Sequence, residues 1–336
     1  MIDRRRFLAG SSLLLGASSL GLGRAFAADS ATRKVVFGYP AGALGTDLGK
    51  AFIEVLAASG GPRYQFENVE GDNTRKSAQV VKAAAPDGMT LLQAQSTTMC
   101  LVPNVYKTTG YDALKDFTPL ATLGQISLSL TLGPQVPSTV TTLAEFLVWL
   151  KSNPESSNIG FSIYGSEGHL ATLILQESTN VPFNPQPYRG SKMMIDDLLG
   201  GTLAAGFTAA GNGGLRYWSA SGKWSADKKL RSIGVTTQKR LSYWKEIPSL
   251  AEQGVAGMDL SPWYAWYAPA TTPAALADSA RASFLAAQAT PAYGKLLEQL
   301  LLNPLNDNPE QIRARITADT ARYAGLVAKY GLKPKD

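Results

Sequence analysis

Short apolar runs alternate with stretches of helical spacing along the first hundred residues, and this alternation constrains the fold more than any other feature of the chain. Lys34 to Tyr39 is a run of strand type; a Gly-rich turn follows, and Leu48, Phe52, Val55 and Leu56 then recur at helical spacing. Tyr64 to Glu67 predicts a second strand. Ala78 to Ala85 ends a second helix, and Met89 to Leu92 is a third strand after the stop at Pro86-Asp87-Gly88. Strands joined through helices by short connections lie parallel, so the pattern predicts an α/β fold with a doubly wound sheet covered by helices.

The pattern resumes beyond about residue 130. Thr142-Leu143-Ala144-Glu145 is a capping box that opens a helix reaching Lys151. Asn158 to Ser162 reads as strand, His169 to Glu177 as helix, and a further helix closes at Gly200-Gly201. Leu203 to Phe207 and Leu230 to Val235 supply two more strands. The last third is helical. Thr272 before Pro273 predicts a capped helix with proline at its first position, and Asn308-Pro309-Glu310-Gln311 predicts another. Ile312, Ile316, Tyr323, Val327 and Tyr330 form an apolar stripe that belongs to the core. There is no internal repeat and no low-complexity linker.

The N-terminus is an address. Arg4-Arg5-Arg6-Phe7-Leu8 supplies a basic region in twin-arginine form, Ser11 to Gly23 is mildly apolar, and Ala25-Phe26-Ala27 fits a small-x-small cleavage site. Residues 1–27 are therefore expected to be a signal peptide, with the mature chain starting at Ala28. The apolar part is too short for a membrane span, which needs about 20 consecutive apolar residues.

The formal charge of +6 falls to +3 without residues 1–27, because four Arg and one Asp leave with them and 28 basic against 25 acidic side chains remain. That small excess, without a Lys/Arg cluster interleaved with aromatics, gives no case for nucleic acid and suits an anionic small molecule. At 45% hydrophobic and 17% charged residues, the chain can build substantial cores. Its one cysteine, Cys100, forms no internal disulfide and reads as a buried apolar group. A single histidine leaves no His-rich metal centre. Gly42-Ala43-Leu44-Gly45 lacks the Gly-Lys-Ser/Thr ending of a phosphate loop, and Gly211-Asn212-Gly213-Gly214 lacks the spacing of a dinucleotide fingerprint. No cofactor is expected.

The string from Pro86-Asp87-Gly88-Met89-Thr90-Leu91-Leu92 through Ser96-Thr97-Thr98 and Pro103-Asn104-Val105-Tyr106 to Tyr111-Asp112-Ala113-Leu114-Lys115-Asp116-Phe117-Thr118-Pro119 resembles the extracytoplasmic solute receptors of tripartite tricarboxylate transporters, the Bug receptors. Lys229 to Arg240 looks like the late strand of that family, and Ser261-Pro262-Trp263-Tyr264 to Ala270 like its return crossover. The resemblance covers nearly all of the mature chain. It implies a type II periplasmic-binding-protein fold, two doubly wound lobes joined by a two-crossing hinge. Domain I would comprise residues 33–128 plus 261–336, and domain II residues 129–260.

Candidate ligand contacts follow from the loops. In open α/β sheets ligands collect at the carboxyl ends of strands, where helix N-termini present free amides to an anion. Tyr39, Ala43, Leu44, Gly45 and Thr46 are expected there, with Thr46 or Asp47 also able to cap the helix. The resembling loop in the family is closer to Pro-Gly-Gly-x-Thr-Asp, and this one is a residue longer. Ser96, Thr97 and Thr98 offer three hydroxyls either to a carboxylate or to a helix start. Asn73 or Thr74 is expected to cap the next helix. Ser162 to Leu170 looks like the family's Gly-x-Gly-Ser-x-x-His-Leu loop, which places Tyr164, Ser166 and His169 near the ligand. Pro187-Tyr188-Arg189-Gly190 resembles the family's Pro-Tyr-Lys/Arg-Gly turn, and Thr208 stands where many relatives carry Asp.

The expectation is a noncatalytic periplasmic receptor, monomeric, that captures a small di-, tri- or aromatic carboxylate and delivers it to the membrane permease subunits of a tripartite transporter. Two other readings stay open. One is a sensory receptor presenting ligand to a histidine kinase; the other is an exported hydrolase using Ser166 and His169.

Overall fold

The computed structural model describes residues 33–211 and 230–336. Residues 1–27, read from sequence as a signal peptide, and most of the glycine run at 211–214 lie outside the described residues. The chain begins with β1 (Arg33–Phe37), α1 (Leu44–Ala58), β2 (Tyr64–Asn68), α2 (Arg75–Lys82), β3 (Thr90–Gln95), α3 (Val102–Val105) and β4 (Phe117–Gln125). It continues with β5 (Leu128–Leu132), α4 (Leu143–Ser152), β6 (Asn158–Ser162), α5 (Glu167–Thr179), β7 (Asn184–Tyr188), α6 (Ser191–Gly200), β8 (Ala205–Ala209) and β9 (Arg231–Val235). Last come β10 (Trp263–Pro269), α7 (Ala274–Gln288), α8 (Pro291–Gln299) and α9 (Pro309–Lys329).

Two five-stranded sheets result, ordered β2-β1-β3-β10-β4 and β7-β6-β8-β5-β9. Among the described residues the chain crosses between them twice, directly at residues 126–127 and again through residues 236–262. This is the type II periplasmic-binding-protein fold. The sheets are mixed, not uniformly parallel. Within each, a first strand pairs in parallel with two neighbours, β1 with β2 and β3, and β6 with β7 and β8. The strands next to the crossings run the other way, β10 against β3 and β4, and β5 against β8 and β9. A strand arriving from the other sheet, without a covering helix before it, carries no requirement for parallel pairing.

The helices pack as their apolar spacing predicts. Leu48, Phe52 and Leu56 of α1 are fully buried, and Gly45 and Gly49 let the helix approach the sheet closely. A Cβ on Gly49 would stand 2.0 Å from the Phe66 ring. Phe52 meets Trp266 at 5.1 Å and Tyr293 at 5.5 Å between ring centroids, and Trp266 meets Phe284 edge-on at 4.9 Å, so aromatic packing ties α1, α7 and α8 to β10. The apolar stripe of α9 is buried at Ile312, Ile316, Tyr323 and Val327, and the helix packs on β4 and on the turn at Thr97–Leu101.

Both capping boxes form, Thr142 with Glu145 and Asn308 with Gln311. Other caps differ from expectation. The first helix starts a turn early: Ala43 is its N-cap, in extended conformation, and the Thr46 amide already bonds the Ala43 carbonyl at 2.9 Å. Neither Thr46 nor Asp47 therefore caps it. Thr74 holds the N-cap position of α2 without a side-chain capping bond, and Asn73 does not cap it either. Pro273, not Thr272, is the N-cap of α7, because the Thr272 amide is turned back to the Pro269 carbonyl at 3.0 Å. Among the described residues no helix is long and apolar enough to cross a membrane.

Candidate functional site

The starts of α1 and α5, one attached to each sheet, face a common cavity. The first amides of any α-helix lack an intrahelical acceptor, and they carry the positive end of the helix dipole. At α1 these are the amides after Ala43, since Ala43 itself donates to Pro40 at 3.3 Å. At α5 the N-cap is Ser166, whose Oγ accepts the His169 amide at 3.4 Å. Tyr39, Ala43 and Leu44 line the cavity from the α1 side, and Ser166, Glu167 and Gly168 from the α5 side. Gln95, Thr97 and Tyr264 are also in its wall, and Phe207 and Ala209 of β8 add apolar surface. No Lys or Arg stands among the described residues lining it. The space open to the centres of water molecules is about 40 Å³, room for a few waters.

Tyr39 also belongs to a second, larger cavity of about 420 Å³, the size that holds a small ligand. Its wall comes from Gly38 to Pro40, from Glu70 to Thr74, from Ile163 and from Arg189. Two backbone irregularities shape it. Gly71, Asp72, Asn73 and Thr74 all have positive φ, at 136°, 48°, 54° and 74°. Ile163, a β-branched residue, sits at φ 56° just after β6. At the non-glycine positions such conformations cost on the order of 1–3 kcal/mol each and persist where surroundings hold them. The Asn73 amide nitrogen does so for the first, donating to the Tyr164 carbonyl at 2.8 Å.

A buried carboxylate dominates the inner cavity. Glu167, the first residue of α5, is only 1% exposed. Its Oε1 accepts the Ser96 hydroxyl at 3.1 Å and the Tyr323 hydroxyl at 3.0 Å, while Oε2 accepts the Thr97 hydroxyl. Burial pushes its pKa up, and the hydrogen bonds from Thr97, its own amide, Tyr323 and Ser96 oppose that push. Its negative charge joins burial in raising the Tyr39 and Tyr264 hydroxyls, with burial the larger cause in both.

The residues singled out from sequence therefore divide. Tyr39, Ala43, Leu44, Thr97 and Ser166 meet at the inner cavity, with Gly45 next along α1. Thr46 turns back, its hydroxyl accepting Asn68 Nδ2 at 2.8 Å. Ser96 is committed to Glu167, and Thr98 Oγ1 lies 2.8 Å from Thr74 Oγ1. Thr208 points away from the wall formed by its neighbours Phe207 and Ala209, and shares a hydroxyl cluster with Thr131 at 2.8 Å and Ser129 at 3.3 Å. Tyr164 lies under Lys335, whose Nζ is 3.7 Å from its ring centroid. His169 stacks on Phe161 at 4.6 Å, and its Nδ1 accepts the Gly165 amide at 3.3 Å. Burial, helped by Lys335, pushes its pKa down to about 4. The Ser166 hydroxyl thus meets the backbone amide of His169, and one ring nitrogen is already taken.

Glu167, Tyr323 and Gln95 were not among the residues singled out from sequence. Glu167 reads as an ordinary acidic residue at a helix start, and Tyr323 as one more member of a core stripe. The only sequence signal for Glu167 is its place between Ser166 and His169. Cys100 is buried, and burial raises its thiol pKa well above the usual range. Among the described residues no group of His, Cys, Asp or Glu side chains is arranged to hold a metal ion.

Residues 66–332 match the family described as tripartite tricarboxylate transporter family receptor. Protein BugT of Bordetella pertussis is 24% identical over 307 residues, covering 90% of each chain. Two solved structures from Rhodopseudomonas palustris share the fold. Rpa4515 with adipate superposes with a TM-score of 0.82 at 24% identity, over 91% of this chain and 99% of its own. MatC with bound malate gives 0.77 at 22% identity, over 88% and 98%.

Proposed function

The chain belongs to the tripartite tricarboxylate transporter receptor family, and from that premise we propose that it is a periplasmic receptor for a small carboxylate, handing its ligand to a membrane permease. The observation that carries this reading is the convergence of the α1 and α5 N-termini on one cavity without a cationic side chain among the described residues of its wall. Backbone amides and the two helix dipoles then supply the positive potential, as suits an anion that must be released again. Tyr39, Ala43, Leu44, Gly45 and Ser166 are the proposed contacts. Thr46, Ser96, Thr97, Thr98, Tyr164, His169 and Thr208 support the loops around them. Residues 33–128 plus 261–336 act as one lobe and 129–260 as the other. The ligand enters through the larger cavity, and closing of the lobes about the two crossings buries it.

The neighbours solved with adipate and with malate support a carboxylate as the class of ligand. The protein acts by binding alone. Native mass spectrometry and calorimetry of the mature chain against mono-, di-, tri- and aromatic carboxylates test the reading. One acid should bind in a 1:1 complex, survive a chelator, and be recovered chemically unchanged. Failure of every carboxylate to bind, or turnover abolished by Ser166→Ala, overturns it.

A further inference from the structure

The hydroxyls of Ser96 and Thr97, suited by type to a ligand carboxylate, are occupied by a carboxylate of the protein's own. Ser96 Oγ accepts the Trp263 amide at 3.2 Å, so its single proton is the one that it gives to Glu167. Thr97 gives its proton to the other oxygen, and Tyr323 completes the set from α9. Three hydroxyl donors around two acceptor oxygens is the arrangement an ionised carboxylate takes when water is removed. Glu167 nevertheless lines the inner cavity, opposite Leu44 at the start of α1.

We propose that Glu167 is a specificity-determining residue: it fills the hydroxyl-lined half of the anion site and restricts the ligand to a single carboxylate group, held at the α1 amides. This rests on the reading of the protein as a carboxylate receptor and narrows it. The inner cavity offers two helix N-termini, each equivalent to roughly half a positive charge. One internal and one ligand carboxylate already exceed that. A second ligand carboxylate would be a like charge within a few ångströms in a desolvated space, where repulsion is strong. The larger cavity gives a distal carboxylate no better place, because Glu70 and Asp72 face it, with Arg189 as the one cation among its described lining residues. Both ends of the cleft thus select against a diacid. The body of the ligand is neutral and extends toward the larger cavity, and Phe207, Ala209 and Leu128 add apolar surface beside its carboxylate.

The test compares acids of matched skeleton, hexanoate with adipate and benzoate with phthalate, by calorimetry on the wild-type protein and on Glu167→Gln. The glutamine keeps the volume and one acceptor oxygen but removes the charge. In the wild type, the tighter-binding monoacid should exceed its diacid by at least about tenfold in affinity. In Glu167→Gln, that preference should shrink to within about threefold or reverse. The wild-type ratio decides on its own if the variant does not fold. A wild type that binds a diacid as tightly as its monoacid overturns the proposal, as does a folded Glu167→Gln that keeps the wild-type ratio. Absence of binding by all four acids, and by the wider carboxylate panel, removes the receptor reading and this proposal with it.

Discussion

The side-chain amide of Asn73 donates to the backbone carbonyl of Tyr164 at 2.8 Å, joining a loop that follows β2 to a loop that follows β6 in the other sheet. Asn73 makes this bond from a left-handed backbone, φ 54°, which asparagine tolerates better than most residues. Asn73→Ala should lose both the bond and the backbone tolerance, whereas Asn73→Gly loses only the bond. Urea unfolding should therefore show alanine costing about 1–2 kcal/mol more than glycine. Equal costs would mean that the backbone conformation carries no penalty here.

His169 makes stability depend on pH. Its folded pKa is about 4, below the ordinary 6.5, so the unfolded chain binds a proton that the folded chain refuses. Stability from this residue is complete above about pH 6.5, falls as pH drops toward 4, and levels off below. The whole effect is on the order of 3 kcal/mol. His169→Gln should be less stable than wild type at pH 7.5, with the gap narrowing by pH 4.5. Denaturant titrations at the two pH values measure it, and a constant gap would contradict the assignment.

Gly45 is required by packing before any ligand arrives. A Cβ there would lie 2.4 Å from Phe37 Cζ and 2.8 Å from Tyr264 Cε1. Gly45→Ala should destabilise the fold by about 1–3 kcal/mol, the range for overpacked cores. Adding Phe37→Leu should recover part of that loss. Thermal melts of the two single variants and the double variant decide, and simple additivity would place the strain elsewhere.

Export through the twin-arginine route predicts that replacing Arg4 and Arg5 by Lys traps precursor inside the cell. Fractionation and immunoblotting check this. Normal periplasmic accumulation of the variant would assign export to another pathway.

Sequence made the scaffold legible because strands and helices announce themselves locally. The apolar spacing of α1, the stripe on α9 and both capping boxes depend on neighbours within a turn or two. The site was legible only in part. Tyr39, Ala43, Leu44 and Ser166 could be placed from the rule that loops after strands hold ligands. A hydroxyl's acceptor, however, lies wherever the fold brings it: Ser96 finds Glu167 at a separation of 71 residues. That Thr208 faces away from the cavity wall could not be read from sequence, since facing alternates along a strand and its register is not local. The helix start at Ala43 was hidden because an alanine N-cap has no side-chain signature.

Only two residues, Ile126 and Ser127, separate β4 from β5 at the direct crossing. Three virtual Cα bonds cannot span more than about 11 Å, so Gln125 and Leu128 stay neighbours in every conformation of the folded chain. The two sheets therefore cannot draw apart along this tether. Under the lobe closure proposed above, access to the cavity is angular, like a book opened at its spine. In that motion the residues farthest from Ile126 and Ser127 would travel most, while those beside them would keep their geometry whether the cleft is full or empty.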